Sequence, residues 1–87
     1  MRVDQPLPGD LVIRTRQDVS GVRATSVFII THWPDGETIV GGPYQSFGYA
    51  LRQARSGVRD RSEKIWRDHA RLGEPEKLEQ VLDEAPA

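Results

Sequence analysis

The chain has 87 residues, 37% hydrophobic and 29% charged, with a formal net charge of −1. That composition describes one small folded domain and excludes a disordered polyelectrolyte. It has no cysteine, which excludes disulfides, thiol chemistry and cysteine-ligated zinc.

In chain order, residues 1–9 read as a loose leader with two prolines, closed by the turn signal Pro8-Gly9-Asp10. Leu11 to Arg16 is rich in β-branched residues and predicts a first strand. Asp18-Val19-Ser20-Gly21 predicts a turn, and Val22 to Trp33 a second strand. At the centre of that strand Val27 and Ile29 point one way, and Phe28 and Ile30 the other. An apolar residue on both faces belongs to a central strand. Pro34-Asp35-Gly36 predicts a tight turn, with Glu37 to Val40 pairing back as strand three. Gly41-Gly42-Pro43 is expected to end that strand and place it at an edge, because proline lacks the ladder amide.

Ser46 is a suitable N-cap for a helix. Phe47, Leu51, Ala54, Val58, Ile65 and Leu72 then recur at spacings that fall on one stripe at 3.6 residues per turn. The stripe predicts one long helix over residues 46–72, with Ser56-Gly57 as its weakest point. Gly73 stops it, and Pro75 opens a short acidic helix through Leu78, Val81 and Leu82 in the tail, residues 74–87. The expected fold is therefore α+β: a three-stranded antiparallel β-meander over residues 10–43, packed by one long C-terminal helix, plus a short acidic terminal helix.

The stretch Pro34-Asp35-Gly36, Ser46-Phe47, Ala50 and Ala54 resembles small uncharacterised bacterial domains in which a glycine-bearing hairpin leads into a helix with spaced alanines. The resemblance covers about a third of the chain and implies a hairpin-then-helix fold, with no activity attached.

Signals for chemistry are sparse. His32 and His69 lie in no metal-binding spacing, and a histidine with a backbone partner is the ordinary reading of each. Asp35 and Glu37 read as a turn acid and an exposed strand acid. Ser46, Ser56 and Ser62 lack a nucleophile-elbow context, and no phosphate-loop lysine follows Gly41-Gly42. Neither an enzyme nor a cofactor is expected. The longest apolar run, Val27-Phe28-Ile29-Ile30, is far too short for a membrane span. The opening MRVDQPLPGD carries no signal-peptide core, so a cytoplasmic protein with no membrane partner is expected.

Charge is uneven. Residues 1–45 carry net −1, residues 46–72 net +4 and residues 73–87 net −4. The basic stretch can meet an anionic partner, or the acidic tail can fold over it. Two functions follow. The first is a small non-catalytic interaction module that self-associates, as a homodimer, through an exposed sheet face, the edge of a strand or the helix. Its candidate interface residues are Tyr49, Trp66, Phe28 and Ile30. The second is a nucleic-acid-binding protein using Arg52, Arg55, Arg59, Arg67 and Arg71 for phosphate contacts.

Overall fold

A computed structural model of the chain describes residues 5–59, 62–71 and 73–81. Among these lie β1 (Leu11–Ser20), β2 (Arg23–His32), β3 (Ile39–Tyr44), α1 (Phe47–Gly57), β4 (Ile65–Asp68) and β5 (Leu78–Gln80). They form one five-stranded sheet in the order β3-β2-β1-β4-β5. β1 pairs antiparallel with β2 and parallel with β4, while β2–β3 and β4–β5 are antiparallel. No helix of the described residues is long and apolar enough to cross a membrane.

The three-stranded meander with a long helix is thus corrected to a mixed five-stranded sheet with one short helix. The stripe predicted over residues 46–72 holds only to Val58. α1 ends at Gly57, and Val58 is already extended at φ −69°, ψ 122°. Ile65 and Trp66 then enter the sheet beside Leu11 and Val12, where they are 8% and 2% exposed. Past Val58 the helical stripe carries an apolar residue only every seventh position, too few to bury a helical face, whereas β-branched and aromatic side chains fit a pleated surface between neighbours. The predicted acidic helix is likewise a strand over Leu78–Gln80, paired with β4. Residues 82–87 of the tail, with Leu82, lie outside the described residues, as do Arg61 and Leu72.

β3 also differs from expectation. It runs through Gly41-Gly42-Pro43 to Tyr44 rather than stopping before them, with register shifts against β2 on both sides of Ile30. β3 remains an edge strand. Gly42 has φ +108°, and a Cβ there would lie 2.8 Å from the Phe28 carbonyl oxygen. At Gly41 a Cβ would come within 2.9 Å of the Tyr44 hydroxyl. The pair therefore lets β3 bulge closely over β2 and seat Tyr44.

The helix docks as its stripe requires. Ser46 Oγ accepts the Tyr49 N–H at 3.2 Å, capping α1. Ala50 and Ala54 face Leu11, Ile13, Ile30 and Ile65 in the core, with Phe28, Tyr44, Phe47, Leu51 and Val58 packed around them. Small alanines let the helix approach the sheet closely. The opposite face is closed too: Val12 and Thr31 are fully buried, and Ile29 and Trp66 nearly so. Each buried aliphatic side chain contributes about 1.5–3 kcal/mol.

Gly42→Ala combines a left-handed φ with a backbone collision, and should destabilise the fold by about 2 kcal/mol or more. Gly48→Ala, in α1 with open space around it, should stabilise by up to about 1 kcal/mol. Urea denaturation of the two variants measures both, and equal midpoints would contradict the assignment.

Candidate interaction site

Two buried polar clusters hold the sheet in its order. Asp10, 3% exposed, lies at the start of β1. Its Oδ2 accepts from the Leu7 N–H at 2.9 Å and the Trp66 indole N–H at 3.0 Å, and its Oδ1 from the Lys64 N–H at 3.1 Å. The Asp10 carbonyl accepts the Trp33 N–H. One residue thus joins the leader, the end of β2 and the entry to β4. Residues 5–9, before β1, are tied down by these bonds, with Pro6 buried. In the second cluster Asp68 Oδ2 meets the Arg14 guanidinium at 3.2 Å, and its Oδ1 accepts from the Ala70 and Lys77 N–H groups. Arg14 also donates to Thr31 Oγ1 and Glu76. The loop after β2 covers it, since a Cβ at Gly36 would sit 3.4 Å from the guanidinium carbon. These contacts close the second sheet face within one copy.

Beyond Arg14 the sheet loses its neighbours. β4 pairs with β1 only from Leu11 to Ile13, and β3 pairs with β2 only from Phe28 to Thr31. β1 and β2 nevertheless stay paired to the end, down to Ser20 opposite Arg23. Gly21, at φ +63°, and Val22 close the hairpin in two residues. Four strand rows past the Arg16–Val27 pair carry this ribbon about 14 Å outward. Thr15 to Val19 and Gly21 to Ser26 are exposed, with Val22 fully so. Both long edges of the ribbon lack a ladder partner among the described residues. An open groove of about 840 Å³ runs beside the β1 edge, between Arg14–Gln17 and Arg67–Arg71.

The residues singled out from sequence are dispersed. Trp66 and Ile30 are inside the fold, 2% and 4% exposed. Phe28 is half-buried and packs edge-on against Phe47 at a centroid distance of 6.0 Å. Tyr49 remains half exposed, stacked edge-to-face on Tyr44. Arg52 and Arg55 are exposed on α1, while Arg59 borders a separate cavity of about 430 Å³ with His32 and Glu63. Arg67 sits on β4 with its guanidinium 4.1 Å from the Phe47 ring centre, and Arg71 follows in the loop. Only Arg67 and Arg71 share the groove. Among the described residues of the tail, Glu76 pairs with Arg14, Glu79 with His69 at 2.6 Å, and Glu74 with Lys77 at 3.1 Å. His32 keeps a backbone partner, the Gly9 carbonyl at 3.3 Å.

Arg16 and Asp18, on the ribbon, were not among the candidates. Their signal is legible in retrospect: from Arg14 onward β1 reads Arg-Thr-Arg-Gln-Asp, with no apolar face to bury. No group of three or more potential metal ligands exists among the described residues. Asp35 serves its own turn. The Thr38 hydroxyl, with the Glu37 and Thr38 N–H groups, holds its carboxyl below the usual value of 3.8.

Asp68→Ala should cost about 1–3 kcal/mol, because it leaves the half-buried Arg14 with only Thr31 and the exposed Glu76 and leaves the Ala70 and Lys77 N–H groups without their acceptor, and adding Arg14→Met should recover the part due to Arg14. Chemical denaturation of the single and double variants decides the point. For Asp35, a lowered folded pKa means stability present above pH 3.8 and lost as pH falls below it. Its carboxyl carbon should titrate by NMR with a midpoint below 3.8, and Thr38→Val should raise that midpoint; an unchanged midpoint refutes the hydroxyl's role. Compared with family models, curated proteins and solved structures, the chain matches none.

Proposed function

We propose that this chain is a small non-catalytic interaction module that self-associates, and that the β1–β2 ribbon is its contact surface. One observation carries this: a paired hairpin that leaves the body with both edges unsatisfied and both faces in water. A two-stranded ribbon is marginal alone in water, and unpaired strand edges are templates for further strands. Adding a strand satisfies the free N–H and C=O groups and covers Val19, which is 69% exposed. The sheet faces and Trp66 offer no comparable surface, because each is covered within one copy.

A nucleic-acid reading has its own support. Arg16, Arg67 and Arg71 border the groove, and a two-stranded ribbon suits a major groove. Against it stand Asp68 in the same groove and a pI near 6.1.

The test shortens the ribbon without shifting its register. Deleting Asp18, Val19, Ala24 and Thr25 removes two cross-strand pairs and keeps every remaining side chain on its face. The shortened chain should stay folded, since Val27 and the core beyond it are untouched, and should lose the self-association of the full chain in analytical ultracentrifugation. Equal association of the two chains would exclude the ribbon as the contact.

A further inference from the structure

We infer that the β1 edge takes the β1 edge of a second copy, antiparallel, with Gln17 on the twofold axis. This inference rests on the ribbon being the contact surface and adds the edge, the register and the residues that select it.

Backbone direction comes first. The Leu11 N–H donates to the Lys64 carbonyl, on the β4 side. Strand alternation then turns the odd-numbered backbone groups of β1 toward that side and the even-numbered ones toward β2. Beyond Ile13, Thr15, Gln17 and Val19 therefore present unpaired donors and acceptors along the free edge. A second antiparallel copy can satisfy all three at once. With the axis at Gln17, that residue meets its own copy, and Thr15 meets Val19 of the second chain. Both contacts fall at hydrogen-bonded pair positions.

Side-chain charge selects this register. Between those pairs Arg16 stands opposite Asp18 of the second copy, and symmetry forms the contact twice. These are non-hydrogen-bonded positions, where facing side chains come closest. Neither the Arg16 guanidinium nor the Asp18 carboxylate has a hydrogen-bond or ion-pair partner among the described residues. Moving the axis one residue either way sets Arg16 against Arg16 or Asp18 against Asp18, which repels. The second strand lies along the groove beside Arg14–Gln17, and its pairing stops at Thr15, short of the Ile13 row that β4 occupies.

The absence of cysteine makes the register directly readable. Across a hydrogen-bonded pair the Cα atoms lie about 5.5 Å apart, within the range a disulfide spans. Under mild oxidation Gln17→Cys should link to itself. Val19→Cys alone should not, but should link to Thr15→Cys when the two are mixed. Arg16→Asp should weaken self-association about tenfold or more, Asp18→Arg likewise, and the double exchange should restore it. Far-UV circular dichroism establishes that these exposed substitutions leave the fold intact. Association that depends on ribbon length but shows neither the Gln17→Cys link nor the charge rescue overturns this register and leaves the ribbon reading standing. A chain monomeric from micromolar to millimolar concentration overturns both. If that monomer binds mixed-sequence duplex DNA at low salt and Arg16→Asp abolishes binding, the ribbon is a nucleic-acid reader instead.

Discussion

The Asp10 carboxylate is the point on which the sheet order turns. A buried carboxylate is costly unless its oxygens are satisfied, and here three donors from two segments satisfy them. Two of those donors, the Lys64 amide and the Trp66 indole, belong to the chain entering β4. Their bonds hold β4 beside β1 in parallel, fifty-odd residues away in sequence. Without that fixed point β1 would be an open edge along its whole length. With it, the meander of β1, β2 and β3 becomes the larger part of a five-stranded sheet, and α1 becomes the crossover between β3 and β4.

The Arg14–Asp68 pair performs a related task one row further out. It marks where β4 leaves β1, and it draws in Thr31, Glu76 and the loop at Gly36. Up to this row the second sheet face is dry. Past the next row, Thr15–Phe28, where Tyr44 still pairs with Phe28, β1 and β2 have only each other. The ribbon is thus a consequence of strand lengths that do not match: ten residues in β1 and β2, four in β4 and six in β3. Matched strands would have covered the edges. The excess length places Arg16, Gln17 and Asp18 in solvent, with the backbone groups of Gln17 turned outward, and so locates the proposed contact.

The basic segment takes a different meaning once folded. A single helix over residues 46–72 would have gathered its arginines along one rod. Folded as helix, loop and strand, it separates them: Arg52 and Arg55 stay on α1, Arg59 faces one cavity, and Arg67 lies over Phe47. Among the described residues, the tail acids Glu76, Glu79 and Glu74 pair with Arg14, His69 and Lys77.

Local signals in the sequence determined the first half of β1, β2, the edge position of β3, the Ser46 cap and the docking of Phe47, Leu51 and Val58 on the sheet, whereas the turn expected over Asp18–Gly21 is in fact β1 up to Ser20. Each depends on neighbours a few residues apart: alternation, a turn residue, a cap, a stripe of two or three turns. Ser56-Gly57 was also visible as the weak point where α1 ends. Tertiary structure alone decided that Ile65-Trp66 is a strand, that Leu78–Gln80 follows it, and that Trp66 is core. Those outcomes depend on an open β1 edge and a waiting Asp10 carboxylate, neither of which is near residue 65 in the chain. The ribbon lay between these cases. Its polar alternation is written in residues 14–18, but its free edges exist only because β3 and β4 stop short of it.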